Sequence, residues 1–281
     1  HLWVADIVAS LSAGKSNTQH IAHIHNQEVW KNSPKLRHTL RRAATRWLYR
    51  RSQSRIIACS PGVKEYEQRT MGWPGEHIDV VRNSTELDDF PPNTRTRSER
   101  IRIGSAGWFI PRKGHLLLID AIAQLVSENL NIELVLAGDG PLKEEYLKRA
   151  AQCGIADRII LPGSVSDMQS FYQSIDIFAL PSYEEGLPLV VIEAMASGLC
   201  VIASSLLGME DVIQHDTTGL LFTPGNLQDL TYSLRRVITD QELSSRLGTA
   251  ARKLALEQFS LKSAVKAVEQ IYRQRITEKS T

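Results

Sequence analysis

The chain has 281 residues, of which 42% are hydrophobic and 23% are charged, a size that favours two globular domains with modest cores. No run approaches the roughly 20 apolar residues of a transmembrane helix, so we expect neither a membrane span nor a signal peptide in this sequence. The three cysteines (Cys59, Cys153 and Cys200) lack metal-ligand spacing and indicate reduced thiols in a cytoplasmic protein. Because the chain begins at His1, we expect a fragment.

The first part of the chain alternates short β-branched runs with amphipathic helical segments. Strands are predicted at 20–25, 55–59 and 78–81, and helices at 34–51 and 62–70. The segment 85–99 is rich in Pro, Thr and charge and is the predicted linker, with a domain boundary near Asn93. We therefore assign residues 1–93 to an N-terminal domain.

The net charge is only +2, but the positive charge is concentrated in one segment. Residues 35–55 contain eight Lys or Arg and no acid. Apolar residues recur there at helical spacing from Leu36 to Leu48, which predicts a basic amphipathic helix. Such a helix either packs its apolar stripe on the protein or lies on an anionic membrane surface. Nucleic-acid binding has no support from any other element, so we expect no nucleic-acid partner.

From Ile101 the alternation of strands and helices becomes regular. The strands are continuous apolar runs, as expected for parallel strands covered on both faces, and predict a doubly wound α/β domain over 94–258. A last helix within 259–281 is expected to pack back toward the N-terminal domain. The predicted strands are 101–105, 133–137, 158–161, 177–180, 200–203 and 219–222, and the predicted helices are 116–128, 142–152, 167–173, 189–197, 209–214, 227–239, 242–258 and 261–276.

The loops after the strands are the candidate binding segments, since ligands of open parallel sheets bind beyond the carboxyl ends of the strands. The loop 104–115 combines glycines with Arg112 and Lys113, which indicates either a phosphate site or a glycine turn with solvated basic residues. The turn 138–141 either contacts a ligand or only shapes the chain reversal. The exposed backbone amides and carbonyls of 163–166 are suited to contact the edge of a flat base.

The segment 181–198 carries two carboxylates around a predicted helix start. Pro188 is placed in the first turn, where free amides and the helix dipole form an anion site. Glu185 precedes this helix, and Glu193 lies within it among apolar residues. A carboxylate there is costly unless it meets hydrogen-bond donors such as sugar or ribose hydroxyls. The alternative is that neighbouring backbone satisfies Glu193.

Together these loops resemble a known family. The short motifs that carry the likeness are P-R-K-G at 111–114, A-G-D-G-P at 137–141, L-P-G-S-V at 161–165 and T-G-L-L at 218–221. The most specific is a Glu-x7-Glu motif formed by Glu185 and Glu193. In this order, residues 101–225 resemble the C-terminal domain of retaining glycosyltransferases of family four. The resemblance implies an α/β protein of the GT-B type with two Rossmann-like doubly wound parallel-sheet domains. It implies that residues 1–93 are a partial N-terminal domain on the acceptor side and that residues 94–258 bind the nucleotide sugar.

The family's site residues can be placed on this sequence. The resemblance implies two catalytic residues, His25 and Glu185, of which Glu185 holds hydroxyls of the transferred sugar. His25 ends the strand in H-I-A-H-I-H-N at 20–26, which is similar to the strand whose last His faces the family's reaction centre. From the residues alone, a His in that place is more often structural. Glu193 is implied to bind the ribose, the amides at the helix start and Lys113 the diphosphate, and 163–165 the base. The implied donor-binding residues are Gly107, Arg112, Lys113, Gly163, Ser164, Val165, Gly186, Leu187, Leu189, Val190 and Glu193.

The chain departs from the family pattern in two places. Trp108 occupies the position of an Arg that assists the diphosphate Lys, so either Arg112 substitutes or the grip on the diphosphate is weakened. The family also has a longer N-terminal domain, of which this chain, starting at His1, is expected to lack the first part.

The implied activity is that of a retaining, metal-independent hexosyltransferase without a cofactor. It would move a sugar from a nucleoside-diphosphate sugar to a glycan or lipid-linked acceptor, in cell-surface polysaccharide or glycolipid synthesis. A non-catalytic nucleotide-sugar-binding fragment and a sugar-nucleotide epimerase or hydrolase on the same fold remain as alternatives. We expect a cytoplasmic protein, peripheral on the inner face of the membrane through the basic helix at 35–55.

Overall fold

A computed structural model describes residues 3–13, 20–25, 31 and 33–278. The predictions that concern His1 and Asn26 lie outside these residues. The chain packs as two compact units. The first unit comprises the described residues of His1–Asn83, Glu185–Leu187 and Leu261–Thr281, and the second unit comprises Ser84–Glu184 and Pro188–Ser260.

The first unit contains a parallel sheet of three strands in the order β1-β2-β3. Helix α3 shows why its sequence is helical: the Ser60 side chain accepts a hydrogen bond from the Val63 amide, and Gly72 ends the helix with a left-handed φ of 65°. The elements are α1 (Trp3–Ala13), β1 (Ile21–Ile24), α2 (Leu36–Arg51), β2 (Arg55–Ala58), α3 (Pro61–Met71) and β3 (Ile78–Val80).

The second unit contains a parallel sheet of six strands in the order β6-β5-β4-β7-β8-β9. Its first strand lies in the middle and the chain winds outward in both directions, which confirms the predicted doubly wound sheet. The strands are β4 (Ile101–Ala106), β5 (Ile132–Ala137), β6 (Ile159–Gly163), β7 (Ile177–Leu180), β8 (Cys200–Ser204) and β9 (Leu220–Phe222). The remaining helices are α4 (His115–Ser127), α5 (Lys143–Gln152), α6 (Met168–Ser174), α7 (Leu189–Ala196), α8 (Leu207–Glu210), α9 (Leu227–Thr239), α10 (Gln241–Gln258) and α11 (Leu261–Glu278).

The core of the second unit lies on both faces of its central strands. Leu134 of β5, Phe178 of β7 and Ile202 of β8 are fully buried. Each such side chain contributes about 1.5–3 kcal/mol through removal from water. The burial on both faces explains why these strands are continuous apolar runs in the sequence.

Two features differ from the sequence predictions. Helix α1 was not predicted. The predicted helix 209–214 is wrong in its position, since α8 ends at Glu210 and Gln214 and Thr218 close a turn through two hydrogen bonds of 2.9 Å. The predicted linker belongs to the second compact unit, where the Asn93 side-chain amide donates to the carbonyl oxygens of Tyr172 and Ile175 at 2.9 and 2.8 Å.

The apolar stripe of α2 is exposed. Leu36, Leu40 and Trp47 retain 75%, 63% and 58% of their surface, whereas Leu48 is buried. Packing on the first unit therefore accounts for Leu48 and leaves most of the predicted stripe uncovered. None of the described helices combines the length and hydropathy that a membrane span requires.

Candidate functional site

The candidate site of the second unit begins where its strand order reverses. Strands β4 and β7 are parallel neighbours at this point, and the loops after them face the same edge of the sheet. The Tyr183 amide donates to the Arg112 carbonyl oxygen at 2.8 Å. Gly114 has a φ of 68°, and a Cβ there would lie 1.9 Å from the Pro181 carbonyl oxygen. The two loops therefore pack directly on each other, and only a glycine fits at the contact.

The two predicted phosphate ligands lie in the first of these loops. Arg112 and Lys113 occupy a short 3-10 turn, Pro111–Lys113, and are both half-buried. The alkyl chain of Lys113 passes Gly107, where a Cβ would lie 3.4 Å from Lys113 Cε. Gly107 has a φ of 153°, so its backbone conformation also favours glycine. A glycine at this position therefore leaves room for the Lys113 side chain to lie along the loop.

Backbone hydrogen bonds join the loops after β4, β5 and β6 at Gly107, Gly138 and Gly163 into one surface, which we call the backbone floor. Gly107 donates to the Ala137 carbonyl at 2.9 Å, and Gly138 donates to the Gly163 carbonyl at 2.8 Å. Gly138 is excluded from carrying a side chain, because a Cβ would lie 2.0 Å from the Gly107 carbonyl oxygen. Gly163 ends β6 with a φ of 83°, and Ser164 is exposed. Gly107 and Gly138 thus have a packing role, whereas a Cβ at Gly163 would meet no atom within 4 Å.

Helix α7 begins at Leu189, as predicted. Pro188 is the residue before the helix rather than part of its first turn, and its carbonyl oxygen accepts from the Val191 amide at 3.2 Å. Leu189 is exposed and Val190 half-buried at the helix start. The first amides of a helix have no acceptor within it and carry the positive end of the helix dipole. The predicted anion site at this helix start therefore stays a prediction that the helix geometry permits.

Glu193 has a partner that the sequence did not reveal. The hydroxyl of Tyr172, a fully buried residue of α6, donates to Glu193 Oε2 at 2.8 Å. Burial raises the pKa of Glu193, and the hydrogen bond from Tyr172 opposes that shift. Glu193 Oε1 accepts no hydrogen bond from any residue that the structure describes. The carboxylate is therefore oriented through one oxygen and able to accept ligand hydroxyls through the other.

The remaining predicted residues belong to the first unit. His25 follows β1, and its Nδ1 lies 3.2 Å from Asn83 Oδ1. The Asn83 side chain also donates to the Leu187 carbonyl oxygen at 2.8 Å, which fixes its orientation and assigns the proton to His25 Nδ1. Glu185 is 6% exposed, and Gly186 and Leu187 beside it are buried.

Two side chains of this arrangement were missed from the sequence. Tyr172 had a weak signal, since a buried Tyr hydroxyl usually needs a partner. Asn83 follows β3 in the segment V-R-N-S at 81–84, and nothing in the sequence linked it to His25. Among the described residues, no three His, Cys, Asp or Glu side chains lie close enough together to form a metal site.

Comparison with solved structures identifies the class of fold. The chain superimposes on HepE of Anabaena, solved in complex with UDP, with a TM-score of 0.86 at 21% identity over 97% of this chain and 77% of that one. Sucrose-phosphate synthase of Thermosynechococcus elongatus gives 0.84 at 23% identity over 98% and 72%. The architecture is that of the GT-B fold, which confirms the predicted fold class.

Sequence comparison then identifies the family. Residues 88–254 match the model of the glycosyl transferases group 1 family, and residues 1–89 match glycosyltransferase family 4. The chain belongs to the glycosyl transferases group 1 family. It is 29% identical to the putative glycosyltransferase EpsF of Bacillus subtilis over 66% of this chain and 51% of that protein. It is 27% identical to the lipopolysaccharide core biosynthesis glycosyltransferase LpsE of Rhizobium meliloti over 81% and 66%. The chain thus spans half to two thirds of the length of these relatives.

Proposed function

We propose that the chain carries the donor-binding domain of a retaining glycosyltransferase. The enzyme would move a sugar from a nucleoside-diphosphate sugar to a glycan or lipid-linked acceptor in cell-surface polysaccharide or glycolipid synthesis. The observation that carries this proposal is the direct packing of the loops after β4 and β7. It places the turn that contains Lys113 beside the loop that begins at Pro181 and leads to α7. The family membership and the functions named for EpsF and LpsE support it.

The donor groups are assigned by chemistry. The amides that open α7, at Leu189 and Val190, together with Lys113, suit a diphosphate, because both supply positive charge to phosphate oxygens. Glu193, held by Tyr172, suits ribose hydroxyls. The exposed backbone of 163–165 suits the base. Arg112, Gly107, Gly186 and Leu187 complete the proposed donor contacts.

The proposed reaction needs no metal. The bond between the anomeric carbon and the diphosphate oxygen breaks, a glycosidic bond forms on the same face, and the acceptor's proton passes to the leaving phosphate oxygen. Lys113 and the α7 amides stabilise the charge that develops on the leaving group. Glu185 positions the sugar. His25, held by Asn83, is the second proposed catalytic residue. A double displacement with Glu185 as nucleophile is the alternative.

Glu185→Ala tests the assignment. We expect the variant to bind nucleoside diphosphate as the unaltered chain does and to lose sugar transfer, measured as acceptor-dependent release of the diphosphate. Glu184→Ala is the matched control, since it removes the neighbouring half-buried carboxylate. Unchanged transfer in Glu185→Ala would overturn the assigned role.

Trp108 favours a second candidate, a binding protein without transferase activity. It replaces the family's Arg, and 57% of its surface is exposed. Such a protein would bind UDP or GDP but release no diphosphate with any acceptor. Release without an acceptor would instead indicate a hydrolase, and interconversion of the donor sugar would indicate an epimerase.

We also propose that α2 places the protein on an anionic membrane, from the cytoplasmic side. The exposed stripe of Leu36, Leu40 and Trp47 is flanked by arginines, a pattern that suits a bilayer interface. Trp47→Glu is expected to reduce sedimentation with phosphatidylglycerol vesicles. Equal sedimentation of both forms would refute the contact.

A further inference from the structure

A cavity of about 390 Å³ opens in the first unit, away from the residues assigned to transfer. Its walls come from the end of α2, the start of β2, the segment that leads into β3, and α11. It therefore lies at the amino ends of the strands. His25 and Asn83 follow the carboxyl ends of β1 and β3, at the opposite edge of the same sheet.

The cavity is electropositive. Its described lining includes three arginines and one histidine but no acidic residue. Arg55 is neutralised by Asp79, with an Nε–Oδ2 distance of 2.6 Å. Arg275 donates to the carbonyl oxygen of Gln53. The Arg50 guanidinium forms no ion pair within the described part of the chain, so its charge is available to a ligand.

One wall is aromatic. The rings of Tyr49 and Trp73 stack with centroids 5.5 Å apart and an angle of 16°. Both residues line the cavity and are almost fully buried, so the stacked pair forms an apolar surface beside the arginines.

We propose that this cavity binds a phosphate-bearing ligand. The phosphate would be contacted by Arg50 and Arg275, since guanidinium groups match phosphate oxygens in geometry and charge. An apolar portion would lie against Trp73 and Pro74, and the volume suits a small molecule or a head group. The phosphate comes either from a soluble phosphorylated compound or from a phospholipid at the membrane surface.

Two neighbouring arginines provide a matched test. Arg50 lines the cavity, whereas Arg51, equally exposed at the end of α2, lies outside the lining and faces the Trp47 ring at 5.6 Å. The 281-residue chain, Arg50→Ala and Arg51→Ala are titrated calorimetrically with glycerol 3-phosphate and inorganic phosphate. The same proteins are sedimented with phosphatidylcholine vesicles, with and without phosphatidic acid. Thermal midpoints verify that the variants fold.

Arg50→Ala is expected to weaken binding of the two soluble probes about tenfold, the loss of one charge-assisted hydrogen bond, while Arg51→Ala leaves that binding unchanged. In the vesicle assay each variant removes one charge from α2, so only the loss by Arg50→Ala beyond that by Arg51→Ala is assigned to the cavity. A selective loss in the titrations identifies a soluble ligand, and a selective loss confined to phosphatidic acid vesicles identifies a lipid head group. Equal effects of the two arginine variants in every assay, or no saturable binding of any probe, would overturn the proposal. The result does not depend on whether the chain transfers sugar.

Discussion

Replacing Glu193 with Ala gives the most quantitative test of the donor assignment. Its carboxylate is held at 2.8 Å by the Tyr172 hydroxyl, and burial raises its pKa, so additional donors stabilise its charged form. Ribose hydroxyls would be such donors. A hydrogen bond to a charged group contributes about 1.5–3 kcal/mol, so losing it should weaken nucleotide binding by about one to two orders of magnitude.

The assay compares two nucleotides by calorimetry. The affinity of Glu193→Ala for UDP or GDP should fall, whereas its affinity for the 2′,3′-dideoxy analogue should match that of the unaltered chain. Tyr172→Phe should show a smaller loss, because it removes only the group that orients the carboxylate. Equal losses for the parent nucleotide and the dideoxy analogue would refute the ribose contact and assign Glu193 a structural role.

Three further predictions follow from the loops and the core. Gly114→Ala should lower the urea midpoint far more than Gly154→Ala. Both glycines have a left-handed φ, which costs an alanine about 1–2 kcal/mol, but only at Gly114 would the added Cβ lie 1.9 Å from a carbonyl oxygen. Equal midpoints for the two variants would contradict the clash. His115 is buried, and burial followed by the charge of Lys113 lowers its pKa to about 3. The contribution of the neutral His115 to the free energy of unfolding is therefore complete above the unfolded pKa of 6.5. It is lost as the pH falls toward 3, by about 1.4 kcal/mol per pH unit. In urea titrations at several pH values, the free energy of unfolding of His115→Leu should lack this pH dependence, and that of the exposed His77→Gln should retain it. Lys113→Ala should weaken UDP binding about tenfold and leave uridine unaffected, as expected if a charge-assisted phosphate contact is lost.

The sheet of the second unit was predictable because its signals are local. The apolar runs of β5, β7 and β8 need burial on both faces, and parallel strands then require helical crossovers between them. The candidate loops followed, since their position at the carboxyl ends of strands is a consequence of that topology.

What the sequence did not predict depends on contacts between distant residues. Tyr172 and Glu193 lie on different helices, and Asn83 reaches Leu187 across more than a hundred positions. Neither pair leaves a periodic pattern. Helix 209–214 was misplaced because Thr218 captures the Gln214 amide, a competition between side chain and backbone that periodicity does not report.

The backbone floor formed by Gly107, Gly138 and Gly163 has a consequence for how binding preference can change. Its geometry is fixed by main-chain atoms, so the loss of conformational entropy that orders it occurs when the chain folds and not when a ligand binds. Substitution of Gly138 disturbs the framework itself. The exposed Ser164 and Tyr183 can vary without that penalty. Recognition of a new nucleotide is therefore expected to evolve at these two side chains over an unchanged framework.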